Sequence, residues 1–133
     1  MGKVLKIGIV DDNKAFRESL KFFTESILKH QVIAEANDGQ HYLSMAFDHI
    51  PDIVLMDIEM PHLNGLETTR LLIQKHFPAK IIAVTNHTEK YLIKELIAIG
   101  FKGTVFKNNI HADLQEALEK VEKGHLFFPA KYF

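Results

Sequence analysis

Asp52-Ile-Val-Leu-Met56 runs without a break into Asp57. Four consecutive apolar residues do not alternate, so the segment reads as a strand buried on both faces, as in a parallel sheet covered by helices. Working outward, Lys6-Ile-Gly-Ile-Val10, Val32-Ile-Ala-Glu-Ala36 and Lys80-Ile-Ile-Ala-Val84 have a similar character, and Gly103-Thr-Val-Phe106 is a weaker fifth run. Between them the spacing turns helical. Phe16, Leu20, Phe23 and Ile27 fall on one stripe, and Ile110, Leu114, Ala117, Leu118 and Val121 on another. Residues ~39–49, ~64–77 and ~88–99 fill the remaining crossovers. Gly39, Gly65, Gly100 and Gly103 punctuate the loops, and Pro51 and Pro78 precede strands. Strands alternating with helices in this way build right-handed crossovers and a doubly wound α/β sheet.

Composition narrows the function. A chain of 133 residues is one domain, and 47% apolar with 25% charged residues excludes disorder. No apolar run approaches the ~20 residues of a membrane span. A net charge of −1 offers no electrostatic footprint for nucleic acid or an acidic membrane. The absence of cysteine removes disulfides, thiolate zinc sites and cysteine catalysis together. Met1 to Lys6 has neither the apolar core nor the cleavage site of a signal peptide, so the cytoplasm is the expected compartment. The eight histidines are scattered and make no metal spacing with a carboxylate. Phe127, Phe128, Tyr132 and Phe133 crowd the end of the chain, and they are expected to fold back on the domain or into a neighbouring chain.

In an open α/β sheet the site lies beyond the carboxyl ends of the strands. Asp11 and Asp12 follow the first strand, Asp57 ends the third, Thr85 follows the fourth and Lys107 the fifth. Each has a bland reading: Asp11-Asp-Asn13 suits a helix N-cap, Thr85 suits another, and Lys107 could merely pair with Asp57. A buried carboxylate is costly unless something pairs with it. Taken together, clustered carboxylates repel, and a hard divalent cation such as Mg²⁺ relieves them while keeping room for waters and phosphate oxygens. A remaining carboxylate can then act as nucleophile toward a phosphoryl group. Lys107 and the Thr85 hydroxyl can hold the other phosphoryl oxygens, so that catalysis is positioning plus charge stabilisation.

These residues sit in recognisable strings: Val10-Asp-Asp-Asn13, Glu35-Ala-Asn-Asp-Gly39, Pro51-Asp-Ile-Val-Leu-Met-Asp-Ile-Glu-Met-Pro61, Asn64-Gly-Leu-Glu67, Val84-Thr-Asn-His87 and Gly103-Thr-Val-Phe-Lys107. From about Lys6 to Lys123 the chain resembles the receiver domain of two-component response regulators, and most of all the NarL/FixJ (LuxR-type) subfamily. The resemblance implies a flavodoxin-like sheet of strand order 2-1-3-4-5 with helices on both faces. It implies that Asp57 accepts a phosphoryl group from a sensor histidine kinase or phosphotransfer protein. Asp12 and Asp57 would ligate Mg²⁺ directly, Asp11 partly through water, and the Glu59 backbone carbonyl would complete the protein's share. Thr85 and Lys107, with Asn86 beside them, would contact the phosphoryl group. Such a chain is a switch and no turnover enzyme: it catalyses only its own phosphorylation and dephosphorylation.

Residues 4–124 are then the receiver domain, and 125–133 a C-terminal extension beginning a linker to an absent output domain that controls transcription. Direct nucleic-acid and membrane binding by this chain are not expected. Three departures stand out. Thr104 occupies the position where most receivers carry a switch aromatic, Asn86 stands where a small residue is common, and Asn108 replaces a frequent proline. Glu59 and His87 should flank the path of the hydrolytic water and tune phosphoryl lifetime. The fourth helix carries Tyr91, Leu92, Ile93, Leu96, Ile97 and Ile99, more apolar residues than one stripe needs, which suggests a homodimer through helix ~88–99. A stand-alone receiver in a phosphorelay is the alternative. A Mg²⁺-dependent aspartyl-phosphate phosphatase would need an Asp-x-Asp signature and a cap domain. A flavodoxin-like carrier would need a hydroxyl- and glycine-rich loop where Asp11-Asp-Asn-Lys14 stands, and the intact acid, hydroxyl and lysine set argues against a pseudo-receiver.

Overall fold

β3 (Ile53–Asp57) lies at the centre of the sheet, with all five residues buried, as its unbroken apolar run requires. The computed structural model describes residues 2–129. Around β3 the order is β1 (Lys6–Val10), α1 (Lys14–Phe22), a π-helical turn (Phe23–Ile27), β2 (Gln31–Ala36), α2 (Gly39–Met45), then β3, α3 (Gly65–Gln74), β4 (Lys80–Thr85), α4 (Lys90–Ile99), β5 (Gly103–Phe106), a 3₁₀ turn (Lys107–Asn109) and α5 (Ile110–Glu122). The strands stand in the order β2-β1-β3-β4-β5 and every neighbouring pair is parallel. This is the doubly wound, flavodoxin-like arrangement the sequence implies.

Alternation along each strand divides the core in two. Val54, Met56 and Ala83 face Tyr42, Leu72 and Leu96, on the side of α2, α3 and α4. Ile53, Leu55, Ile82 and Val84 face Leu20, Leu114 and Leu118, on the side of α1 and α5.

Three sequence expectations need correction. The stripe through Phe16, Leu20, Phe23 and Ile27 breaks at its end: Ile27 is exposed, and Leu28 packs on the core instead. The cause is the π turn, in which the Leu28 N–H reaches the Phe23 carbonyl at 3.0 Å and so adds one residue to the turn. The helices at ~39–49, ~64–77 and ~88–99 are shorter than their spacing suggests. For α3, His76 adopts a left-handed φ of 59° and the Phe77 N–H returns to the Leu72 carbonyl at 3.0 Å, which closes the helix. The apolar surplus of α4 is mostly core: Leu92, Ile93 and Leu96 are buried, Ile97 and Ile99 pack against them, and Tyr91 alone of the six is exposed, at 74%.

The C-terminal stretch folds back as far as it is described. The Phe127 N–H donates to the Lys102 carbonyl at 3.0 Å, and the Thr104 N–H donates to the Phe127 carbonyl at 2.9 Å. Phe127 packs on one core and Phe128 on the other. A second parallel rung on β5 would need an N–H from residue 129, which is proline. Tyr132 and Phe133 lie outside the described residues. No described helix is long and apolar enough to cross a membrane.

Candidate functional site

The carboxyl ends of β1, β3, β4 and β5 meet at one rim. Beyond Val10 the chain stays against the sheet, with the Asp11 N–H donating to the Ala36 carbonyl at 3.1 Å. Asp11 is buried and Asp12 exposed. The capping of α1 falls to Asn13, whose side-chain oxygen accepts the Phe16 N–H at 3.0 Å. The Asn13 N–H in turn donates to Asp11 Oδ1 at 2.8 Å. Neither acid is consumed as a helix cap.

Asp57 ends β3 at 6% exposure. Carboxylate oxygens of Asp11, Asp12 and Asp57 all lie within 4.8 Å of one another. Lys107, the first residue past β5, places Nζ 2.9 Å from Asp11 Oδ2 and 3.5 Å from Asp57 Oδ2. Its ammonium also lies over the Phe16 ring, with Nζ 4.6 Å from the ring centroid. One ammonium does not balance this cluster. Burial pushes the Asp57 carboxyl up to about 7, the neighbouring Asp11 charge adds to the rise, Lys107 opposes it, and the hydrogen bond and charge of Asp12 raise it further. The donors are all hard oxygens and Asp12 opens to solvent, which is the chemistry Mg²⁺ takes: one or two carboxylates with waters retained. The residues present therefore fit such an ion.

Two loops wall the rim. After β3, Asn64 caps α3 by accepting the Glu67 N–H at 2.9 Å, and the Gly65 N–H donates to the Ile58 carbonyl at 2.8 Å. Asp12, Ile58, Glu59, Met60, Pro61 and Asn64 line a cleft of ≈ 490 Å³. After β4, Thr85 is buried and its Oγ1 accepts the His87 N–H at 3.1 Å. It fixes the loop, whereas α4 starts only at Lys90 with no side-chain cap. Asn86 is exposed beside it. His87 Nε2 lies 2.5 Å from Glu59 Oε1, and Nδ1 lies 3.5 Å from Glu89 Oε1. Glu59 and His87 thus join the two loops. Burial works against charge on His87, but hydrogen bonds and charges from Glu89 and Glu59 outweigh it and raise the imidazole above its usual range.

Thr104 is buried in β5 opposite Ala83, on the α4 side of the sheet, and its hydroxyl has no hydrogen-bond partner among the described residues. Arg17 stands in none of the strings that mark the site, and Glu35 only in Glu35-Ala-Asn-Asp-Gly39. Arg17 Nη1 donates to the Asp11 backbone carbonyl at 2.7 Å, and its Nε lies 3.6 Å from Glu35 Oε1. These residues come from a helix and an edge strand, and no spacing rule links them.

Comparison with known proteins follows the same lines. The family model of the response regulator receiver domain matches residues 7–119. The transcriptional regulatory protein DegU of Brevibacillus brevis is 31% identical over 127 residues, 96% of this chain and 54% of that protein. The transcriptional regulatory protein YdfI of Bacillus subtilis is 35% identical over 126 residues, 95% and 57% of the two chains. This chain therefore spans a little over half the length of those relatives. Among solved structures, a LuxR-family two-component response regulator from Aurantimonas sp. SI85-9A1 superposes with a TM-score of 0.90 at 28% identity, covering 98% of this chain and 93% of that one. The signal receiver domain of the NarL response regulator of Mycobacterium tuberculosis gives 0.85 at 22% identity over 93% and 100% of the chains, a likeness of fold.

Proposed function

Because the chain belongs to the response regulator receiver domain family, we propose that Asp57 accepts a phosphoryl group from a sensor histidine kinase or phosphotransfer protein, in a Mg²⁺-dependent step that switches a transcriptional output. The observation that carries this reading is the convergence of Asp11, Asp12 and Asp57 within 4.8 Å, with Lys107 reaching two of them. Asp11, Asp12, Asp57 and the Glu59 backbone carbonyl would hold the ion. Bound there, it would neutralise the carboxylates and the developing phosphoryl charge.

The chain's own groups do the rest. An Asp57 oxygen forms the bond to phosphorus as the bond to the donor's imidazole nitrogen breaks, and the imidazole leaves carrying its proton. Lys107 turns its ammonium from the carboxylates toward the phosphoryl oxygens. Thr85 accepts from the His87 N–H, so its own O–H can donate to a phosphoryl oxygen. That shift would drag residues 85–88 and the start of α4. Thr104 has no ring to move, so the readout runs through this loop and helix. In the whole protein, which acts in the cytoplasm on this reading, residues 125–133 lead toward the output half.

Incubation with acetyl phosphate and Mg²⁺, followed by intact mass, tests the reading. A gain of one phosphoryl group that Asp57→Asn abolishes is expected, and no gain in the parent chain would refute it. Glu59 and His87 bridge the mouth of the site, so they should govern water access. Glu59→Ala and His87→Ala are each expected to change the decay rate of the phosphorylated chain while leaving its formation intact. Identical decay in both variants and the parent would remove these residues from that role.

A further inference from the structure

Asp12 is exposed, yet the backbone on both sides of it is held. The Asn13 N–H donates to Asp11 Oδ1 at 2.8 Å, which fixes the peptide plane after Asp12. The Asp11 carbonyl accepts from Arg17 Nη1 at 2.7 Å, which fixes the plane before it. One plane further back, the Asp11 N–H meets the Ala36 carbonyl at 3.1 Å. With the planes before and after Asp12 both fixed, its φ and ψ are fixed, and with them the direction of its Cα–Cβ bond, from which the carboxylate reaches the rim by its two side-chain torsions.

Arg17 suits this task because its planar fork offers several donors at set angles. While Nη1 holds the carbonyl, Nε faces Glu35 Oε1 at 3.6 Å. Glu35 Oε2 is held by Lys21 Nζ at 3.1 Å. The Arg17 side chain is 17% exposed, so water competes weakly for its donors.

We propose that Arg17, anchored by Glu35, is a positioning residue of the site: it orients the Asp11–Asp12 peptide so that Asp12 presents its carboxylate to the divalent cation. This rests on the Mg²⁺-dependent reading above. Its sign separates it from simple electrostatics. Removing a cation near a metal site should tighten Mg²⁺ binding by Coulomb's law, whereas losing the clamp should weaken it.

The test is titration of the intact chain with Mg²⁺ by calorimetry, without phosphodonor, beside the Mg²⁺ dependence of phosphorylation by acetyl phosphate. For Arg17→Met the Mg²⁺ Kd is expected to rise about tenfold, equivalent to about 1.4 kcal/mol. Half-saturating Mg²⁺ should rise in step, while the rate at saturating Mg²⁺ stays within about twofold. Arg17→Lys, a single-point donor, should recover part of the affinity. Lys21→Met removes a cation from the same Glu35 without touching the Asp11 carbonyl, and should leave the Kd within about twofold. Glu35→Gln keeps Arg17 but loosens its anchor, and a rise of about threefold is expected. Unchanged or tighter Mg²⁺ binding in folded Arg17→Met overturns the proposal. Should that variant fail to fold, an unchanged Kd in Glu35→Gln overturns it equally. A parent chain that is phosphorylated but shows no Arg17 dependence refutes this inference alone. A parent chain that binds no Mg²⁺ refutes the metal reading and this inference with it. A parent chain that binds Mg²⁺ with the Arg17 dependence but takes no phosphoryl group refutes only the phosphoacceptor reading.

Discussion

Lys107→Met is expected to make the metal-free protein about 3 kcal/mol less stable at pH 8, because removing one partner of a buried ion pair leaves the other charge uncompensated. Lys107 is 15% exposed in its side chain and touches both Asp11 and Asp57, which are 2% and 7% exposed in theirs. Methionine keeps an unbranched apolar chain of similar size, so what is lost is the charge, including the ammonium's place 4.6 Å from the Phe16 ring centroid. The effect depends on pH through Asp57. Its carboxyl is raised to about 7 by burial first and Asp11 second. The folded chain therefore keeps this proton between roughly pH 4 and 7, where the unfolded chain has released it. Stability from this group is full below pH 4 and is lost as the pH rises through 7. Lys107 opposes the rise, so its removal pushes the folded pKa higher and deepens the loss at pH 8. At pH 5 Asp57 is protonated in both proteins, and about half the penalty should remain, from the lost Asp11 contact. Asp57→Asn should act in reverse, gaining about 2 kcal/mol over the parent at pH 8 without divalent cation. Saturating Mg²⁺ binds the folded parent and should close that gap. Urea unfolding of the three proteins at pH 5 and pH 8 reads all of this. Equal losses for Lys107→Met at both pH values would show that Asp57 titration is not involved.

The rim of carboxylates could be read from the chain because topology does the work. Once Ile53–Asp57 is recognised as a doubly buried strand, parallel order places its last residue beside those that end β1, β4 and β5. Asp11, Asp12, Asp57 and Lys107 then meet whatever the loops do. That Glu59 and His87 both stand at the rim was legible for a similar reason, since each lies two residues beyond a strand end, but their contact with each other was not. Spacing fails where it cannot tell what covers a helix from behind. The apolar residues of α4 look like a spare surface until Leu92, Ile93 and Leu96 are found buried. It also fails where the helix itself changes period, as when the π turn moves the buried position from Ile27 to Leu28. The Arg17–Glu35 clamp is invisible for a third reason: it depends on a backbone carbonyl, and sequence patterns describe side chains.

Gly65 is the backbone case with the largest consequence, because it lies against the reactive strand end itself. It opens α3 directly after the Asn64 cap. Helix propensity alone says that alanine there should be better by up to about 1 kcal/mol. Geometry says the opposite. A Cβ on Gly65 would collide with the Asp57 carbonyl oxygen, and it would also stand 3.0 Å from the Asp57 carbonyl carbon and from Ile58 Cα. These are backbone atoms of the last residue of the fully buried central strand, which pairs with β1 on one side and β4 on the other, and of the buried residue directly after it, so no flexible side chain can give way. The turn cannot simply lift either, because the Gly65 N–H is bonded to the Ile58 carbonyl at 2.8 Å and Asn64 is committed to capping α3. Gly65→Ala is therefore expected to cost about 3 kcal/mol of stability, as overpacking against an immovable wall does. Whatever strain is not released by unfolding should displace the end of β3 and slow phosphorylation of Asp57. Gly8→Ala is the matched control. It lies inside β1, and the three atoms nearest its Cβ would be side-chain atoms of Pro51 at 3.3 Å, Tyr42 at 3.4 Å and Val54 at 3.6 Å, so a smaller loss is expected. Chemical denaturation of the two variants decides the matter. A Gly65→Ala chain as stable as the parent would mean that α3 can slide away from β3, and that the Asp57 backbone is not held by this contact.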